Sequence, residues 1–221
     1  IATQQAPVVF EPEIAVSLLG HIASAISGYV LYKNASFLTD QLGNRVTSPM
    51  ITIVDDPTLP SGFGSRPFDG EGLPSMKKAV VEQGVLKSYL LDTYSGKKLG
   101  LPSTGNAVRG TGGGPGVGGG NFHMLPGTLS QEEIIGSVQS GLLVTELIGF
   151  GVNLITGDYS RGAAGIWIEN GELAYPVEEL TIAGNLKDLF QQIEMIGNDV
   201  DLTKKMAAPT LKISKMMIAG N

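Results

Sequence analysis

At 221 residues the chain can bury a substantial core, as one large domain or two small ones. A net charge of −6 and only four arginines (Arg45, Arg66, Arg109, Arg161) argue against a nucleic-acid surface. Cysteine is absent, which excludes disulfides, thiolate metal ligands and a cysteine nucleophile together and fits a reducing, cytoplasmic setting.

The chain opens at Ile1 rather than at methionine, without a basic leader, so it reads as a piece of a longer protein with no visible signal peptide. No run reaches the roughly 18 apolar residues of a membrane span. The longest, Gly141 to Val152, carries Glu146. Glycine, at 31 residues, is about twice its usual share, which implies many turns and close backbone approaches.

In chain order, the first strong element is a helix from Glu11-Pro12-Glu13 to Ser27. Pro12 suits the first helical position, the two glutamates suit the positive end of the dipole, and Gly28 is expected to end the helix in a left-handed conformation. Ile14, Leu18, Leu19, Ile22 and Ile26 with their alanines leave no broad polar face, so the helix is expected to be buried all round. Tyr29 to Leu31, Ser36 to Leu38 and Pro49 to Val54 read as strands. Thr58 to Pro74 is a long loop holding Phe63, Arg66, Phe68, Asp69 and Glu71, with the phenylalanines, like Phe122, expected as anchors.

Lys78 to Val81 and Val85 to Leu90 form a hairpin around Glu82-Gln83-Gly84, and Asp92 caps a short helix that stops at Gly100. Gly105 to Gly120 has almost no side chains to pack and is expected to be an exposed or mobile loop. Ser130-Gln131-Glu132-Glu133 is a capping box opening a helix to about Ser140. Gly151 to Thr156 and Tyr159 to Glu169 read as strands, and Asn170-Gly171 turns the chain back through Glu172 to Val177. Leu186 to Ile196 has helical spacing, and Thr210 to Ile218 is the last strand. The pattern predicts a single α+β domain over residues 1–221, a mainly antiparallel, barrel-like sheet around a buried apolar helix.

Few motifs carry chemistry. A zinc-protease helix needs two histidines with a glutamate beside the first. His21 is instead followed by Ile22, with Ala25 four positions on, and the other histidine, His123, lies far along the chain. His21 therefore reads as a hydrogen-bonded buried residue rather than a metal ligand. Gly114 to Gly119 matches G-x-G-x-x-G without the strand and helix that would make it a phosphate cradle, and no serine sits in a G-x-S-x-G elbow. The acidic pairs Asp55-Asp56, Asp69/Glu71 and Asp199/Asp201 stand beside turn residues and read as turn or capping carboxylates.

Longer blocks are more specific. Phe68-Asp69-Gly70-Glu71-Gly72, Glu82-Gln83-Gly84-Val85-Leu86-Lys87, Ser103-Thr104-Gly105-Asn106, Leu125-Pro126-Gly127, Asn153 to Ala163, Thr181 to Leu186 and Ile196-Gly197-Asn198-Asp199 occur in an order and spacing that resemble the C-terminal domain of the TldD/PmbA family, more closely its PmbA (TldE) branch. The resemblance implies a missing N-terminal α/β domain and a cytoplasmic peptidase assembly of a TldD-type and a PmbA-type subunit that trims peptides. Members have also been described as modulators of DNA gyrase, although nothing in this chain's charge supports DNA contact.

In the TldD branch the matching helix carries two histidines and a glutamate after a Leu-Leu pair. Laid on Leu18-Leu19, the first histidine falls on Gly20, the glutamate on His21 and the second histidine on Ala25, and a cysteine ligand near the C-terminus has no counterpart. The resemblance thus implies a degenerate metal site, no catalytic or metal-binding residue and no cofactor in this chain, with zinc expected only in a TldD-type partner. It implies a subunit supplying dimer interface and peptide-channel wall, for which Arg66, Asp69, Glu71, Asn121 and Arg161 are the candidate loop residues. The partner would be a TldD-type subunit or a second copy, with peptides as substrates and neither nucleic acid nor membrane. Two alternatives stay open: a homodimeric peptide-binding module without a peptidase partner, and a self-sufficient hydrolase using His21 with a carboxylate such as Asp69.

Overall fold

The structure is a computed structural model that describes residues 1–110 and 112–220. Thr111, within the glycine-rich stretch expected to be a loop, and Asn221 lie outside the described residues. In chain order the elements are β1 (Gln4–Phe10), α1 (Pro12–Ala25), α2 (Gly28–Leu31), β2 (Ile53–Asp55), β3 (Lys78–Glu82), β4 (Val85–Leu86) and α3 (Thr93–Leu99). They continue with β5 (Ala107–Arg109), β6 (Pro115–Val117), β7 (Phe122–Met124), α4 (Gln131–Gly136), β8 (Ser140–Ile148), β9 (Asp158–Glu169) and β10 (Glu172–Asn185). The last are α5 (Leu186–Gln191), β11 (Ile193–Ile196), β12 (Met206–Ala207) and β13 (Leu211–Ala219).

Strands β1, β8, β9, β10 and β13 pair in that order, and β13 pairs back onto β1, so the sheet closes into a five-stranded barrel. Closure removes most of the unpaired backbone that an open sheet would leave at its edges. All these pairs are antiparallel except β1 with β8. Short β11 continues beside β13. A second sheet, ordered β12-β7-β2-β3-β4, lies apart, and β5 pairs with β6 in a separate two-stranded hairpin. The α+β, mainly antiparallel and barrel-like expectation holds. No helix among the described residues is long and apolar enough to cross a membrane.

Helix α1 joins the two sheets. Pro12 stands in its first turn with Glu13, as its sequence dictates. Ala15, Leu18, Leu19, Ile22 and Ala25 are buried in the same core cluster as Phe10, Leu142 and Ile182 of the barrel and Ile53 and Phe122 of the second sheet. Burying each of the larger aliphatic side chains contributes about 1.5–3 kcal/mol. The expectation of all-round burial needs correction: Glu13 and Ser24 are exposed, and Val16, Gly20 and Ala23 are half-buried. Leucine and isoleucine fall on one side and small residues on the other, a division that counting apolar letters misses.

Gly28 does not cap α1 in a left-handed conformation. Ile26 is the cap at φ −95°, and Gly28 begins α2. A side chain on Gly28 would meet Ser95 and come within 2.9 Å of Leu91 Cδ2, so glycine is there because α2 and the α3 segment touch. Consequently Tyr29 to Leu31 is helical rather than extended, and Ser36 to Leu38 is turn.

Other boundaries also move. The strand expected from Pro49 shrinks to β2, and the second arm of the expected hairpin pairs only at β4. Gly151 to Thr156 is turn with one bridge, Val152 to Tyr159. The helix expected from Leu186 to Ile196 splits into α5 and β11, because the second half pairs with β13. The α4 capping box is present, but its helix ends at Gly136 and the chain enters β8. Strand β8 escaped prediction because Gly141 to Val144 are buried on both faces and show no alternation. Strand β1 contains Pro7, which sits at a register shift between Ala6 and Val8.

Candidate functional site

The small-residue face of α1 opens into a cleft of about 650 Å³. Gly20, Ala23, Ser24 and Ser27 form its floor. Val30, Leu90, Val117, the Gly118-Gly119-Gly120 segment, Phe122, Lys205 and Met206 complete its lining. Lys205 is the one ionisable side chain lining it. The three glycines present main chain to the cleft, and a Cβ on them would press on Val108, on Phe122 with Asp55, and on Pro57, so the packing behind the segment is what requires glycine there.

That segment is held by a buried polar network. The Asp55 carboxylate, fully buried, accepts from Gly120 N (2.6 Å), Asn106 Nδ2 (2.7 Å) and Lys78 Nζ (3.0 Å). Asn106 also donates to Gly118 O at 3.2 Å, as does Arg66 Nη2. Asn121 Nδ2 donates to Asp56 O and Ser65 Oγ while its Oδ1 accepts from Gly64 N at 2.7 Å. Asp69 accepts from the backbone N–H of Glu71, Leu73 and Ala107, and Glu71 accepts from Thr93 N at the start of α3. Of the five loop candidates, Arg66 and Asn121 bind segments that carry the three glycines, and Asp69 ties the long loop to β5, one side of that hairpin. Their chemistry is structural: each carboxylate or amide is spent on backbone groups that would otherwise be buried unpaired.

Two expectations fail in this loop region. The Gly105 to Gly120 stretch is not a bland loop: it forms the β5–β6 hairpin and part of the cleft lining, and its exposed residues, among those described, are Arg109, Gly110 and Gly112 to Pro115. Phe63 and Phe68 are 85% and 59% exposed and anchor nothing, whereas Phe122 is buried as expected. The acidic residues behave as turn groups where expected, with Asp56 and Asp201 accepting from Thr58 and Thr203 two residues on. Asp55 and Asp199 are exceptions: Asp55 is a buried ion-pair partner of Lys78 rather than a turn group, and Asp199 accepts from Thr210 N and Oγ1 eleven residues on.

His21 points away from the cleft toward the barrel, its ring edge-on to Tyr159 with centroids 6.0 Å apart. Its Nε2 is buried without a hydrogen-bond partner, and so is the Tyr159 hydroxyl, which corrects the expectation of a hydrogen-bonded histidine. Arg161, the fifth loop candidate, lies near both and donates from Nε to Ile148 O at 3.3 Å. Burial, reinforced by the Arg161 charge, holds the His21 pKa below its ordinary 6.5. Burial pushes the Tyr159 phenol up to about 12, although Arg161 acts in the opposite sense.

The folded chain therefore resists a proton that the unfolded chain accepts near pH 6.5. His21 contributes its full stability above that pH, and the contribution is lost as pH falls from 6.5 through the lower folded-state value. The urea midpoint should drop between about pH 7.5 and about pH 5.5, and His21→Gln should remove part of that drop. An equal drop in both proteins would refute the assignment.

These positions do not fit a zinc ion. Gly20 offers no donor, and a Cβ built there would already touch Met206 Sδ at 3.9 Å. Ala25 is fully buried and apolar. His123 Nε2 is engaged with Lys204 O at 2.8 Å. Among the described residues no three His, Cys, Asp or Glu side chains are grouped to hold a metal. Both oxygens of Asp69 are occupied by backbone amides, so it is not free to serve His21 as a base.

Residues 3–220 match the family model described as the PmbA/TldA metallopeptidase C-terminal domain. The chain is 43% identical over its whole length to a protein named Metalloprotease PmbA from Escherichia coli O157:H7, and covers 47% of it. It is 41% identical over its whole length to a Metalloprotease PmbA homolog from Haemophilus influenzae, again covering 47%. It superposes on the crystal structure of TldE from Thermococcus kodakarensis with a TM-score of 0.90 at 30% identity, covering all of this chain and 51% of that one. The chain thus spans about half the length of the curated relatives it matches. On the match to the family model over residues 3–220 and the identity to these relatives, this chain belongs to the PmbA/TldD metallopeptidase family and matches its C-terminal domain.

Proposed function

We propose that this chain is the metal-free side of a two-subunit peptidase, contributing dimer interface and one wall of the channel through which peptide reaches a zinc-bearing TldD-type partner. One observation supports the reading: Gly20, the position that the family resemblance lays on a metal ligand of the TldD branch, lines a cleft together with the Gly118-Gly119-Gly120 segment. A site without metal ligands or a free general base can still bind. Extended peptide suits it, because main-chain recognition needs close approach rather than particular side chains. Hydrolysis then belongs to the partner, and no step of it is assigned to residues of this chain.

The test joins the full-length protein with a zinc-containing TldD-type subunit and measures complex formation by size exclusion and cleavage of a mixed peptide pool. The expected result is a stable complex with activity that neither protein shows alone. Ser24→Trp, an exposed substitution on the cleft floor, should leave the complex intact and lower cleavage at least about tenfold, a loss of roughly 1.4 kcal/mol in transition-state binding. No complex and no gain in activity would overturn the proposal. A symmetric homodimer that binds peptide without turnover would favour the partner-free module instead.

A further inference from the structure

Strand β10 is paired unevenly. Thr181 to Ala183 lie between β9 and β13, as a barrel strand should. Upstream, the strand pairs with β9 on one side, and among the described residues β13 meets it only at Thr181, Ile182 and Ala183. The Glu172 to Val177 stretch therefore presents an open edge of backbone N–H and C=O groups.

Its exposure is unlike that of the other barrel strands. Glu172, Leu173, Ala174, Tyr175 and Pro176 are exposed in succession, so neither face is covered, and Glu178 and Glu179 are exposed beyond them. Leu173 and Tyr175 are 48% and 43% exposed. Proteins usually blunt such edges, and Pro176 with register shifts at Leu173/Tyr175 and Val177/Leu180 does so here against indiscriminate pairing. What remains is an edge that accepts an added strand selectively.

Charge decides which strand. Between Arg161 and Lys187 the chain holds Glu169, Glu172, Glu178 and Glu179 and no lysine or arginine. Two copies of this edge paired antiparallel about Tyr175 and Pro176 would set Glu172 of one against Glu178 and Glu179 of the other, and like charges across a strand pair are destabilising. A basic strand meets the same carboxylates favourably and offers apolar alternate residues to Leu173 and Tyr175. We infer that the Glu172–Glu179 edge of β10 is a docking strand for a partner protein that presents an extended, positively charged segment. The inference does not depend on the cleft or on the zinc-bearing partner.

The probe is a capped synthetic heptapeptide alternating lysine and valine, with a glutamate–valine peptide as control. Binding is followed by fluorescence polarisation and by amide hydrogen exchange of the intact chain. The lysine peptide should slow exchange in residues 172–180, bind at least about tenfold tighter than the control and weaken with added salt. The paired substitution Glu172→Lys with Glu178→Lys should reverse the preference, and Glu172→Gln with Glu178→Gln should abolish it while leaving the exposed backbone unchanged. Protection outside residues 172–180, or binding indifferent to both charge variants, would overturn the inference. A dimer of the chain alone that the lysine variants dissociate would also overturn it, by assigning the edge to a second copy.

Discussion

Asp55→Ala should destabilise the fold by about 3–5 kcal/mol, read as a fall in the urea midpoint at constant slope. Asp55 is fully buried, and the side chain of Lys78, its partner at 3.0 Å, is only 16% exposed. Alanine would strand that ammonium and leave the Gly120 N–H and the Asn106 amide without their acceptor. The cost comes less from the lost attraction than from charge and donors left unpaired in a poorly solvated site. Asp55→Asn keeps an acceptor oxygen for Gly120 but removes the countercharge, so it should fall between wild type and alanine. A loss below about 1 kcal/mol for alanine would mean that solvent reaches Lys78 and that the network is not the staple described.

Gly165→Ala should be comparably damaging, about 3 kcal/mol or more, with a fall in Tm of several degrees. Gly165 lies in the middle of β9, opposite Val144 of β8 and Val177 of β10. A methyl there would run into the Leu143 carbonyl oxygen and stand 3.1 Å from Val144 Cα. Both are backbone atoms of the neighbouring strand, so no rotamer change relieves the contact and the barrel must open locally. Gly20→Ala is the matched control. Its added methyl meets nothing nearer than Met206 Sδ at 3.9 Å, and replacing glycine inside a helix should stabilise by up to about 1 kcal/mol. If the two alanines had similar effects, strand spacing at Gly165 would not be the constraint.

The features legible in the sequence share one property: their cause is local. Pro12 starts α1, Asp92 and Ser130 close capping boxes on α3 and α4, and Asn170-Gly171 turns β9 into β10, because each device works within a few residues. The blocks of short motifs likewise identified the family without any coordinates.

Tertiary structure decided the rest. Strand β1 has no pattern of its own and becomes a strand only because β13 and β8 flank it. Leu186 to Ile196 carries helical spacing throughout, yet β13 captures its second half as β11. Phe63 and Phe68 looked like anchors and stand in solvent, since loop aromatics are buried only where another segment covers them. The glycine run looked featureless because its role depends on Asp55, Asn106 and Arg66, which lie outside or at its margin.

By itself the sequence determined the first helix start, the capping boxes, the Asn170-Gly171 turn and the family, all properties of residue identity at short range. Only the folded chain decided that α1 lines a cleft together with a glycine segment, and that, among the described residues, the first half of β10 pairs with β9 alone. Those depend on which segments meet, and such contacts form between residues tens of positions apart, where local propensity is silent.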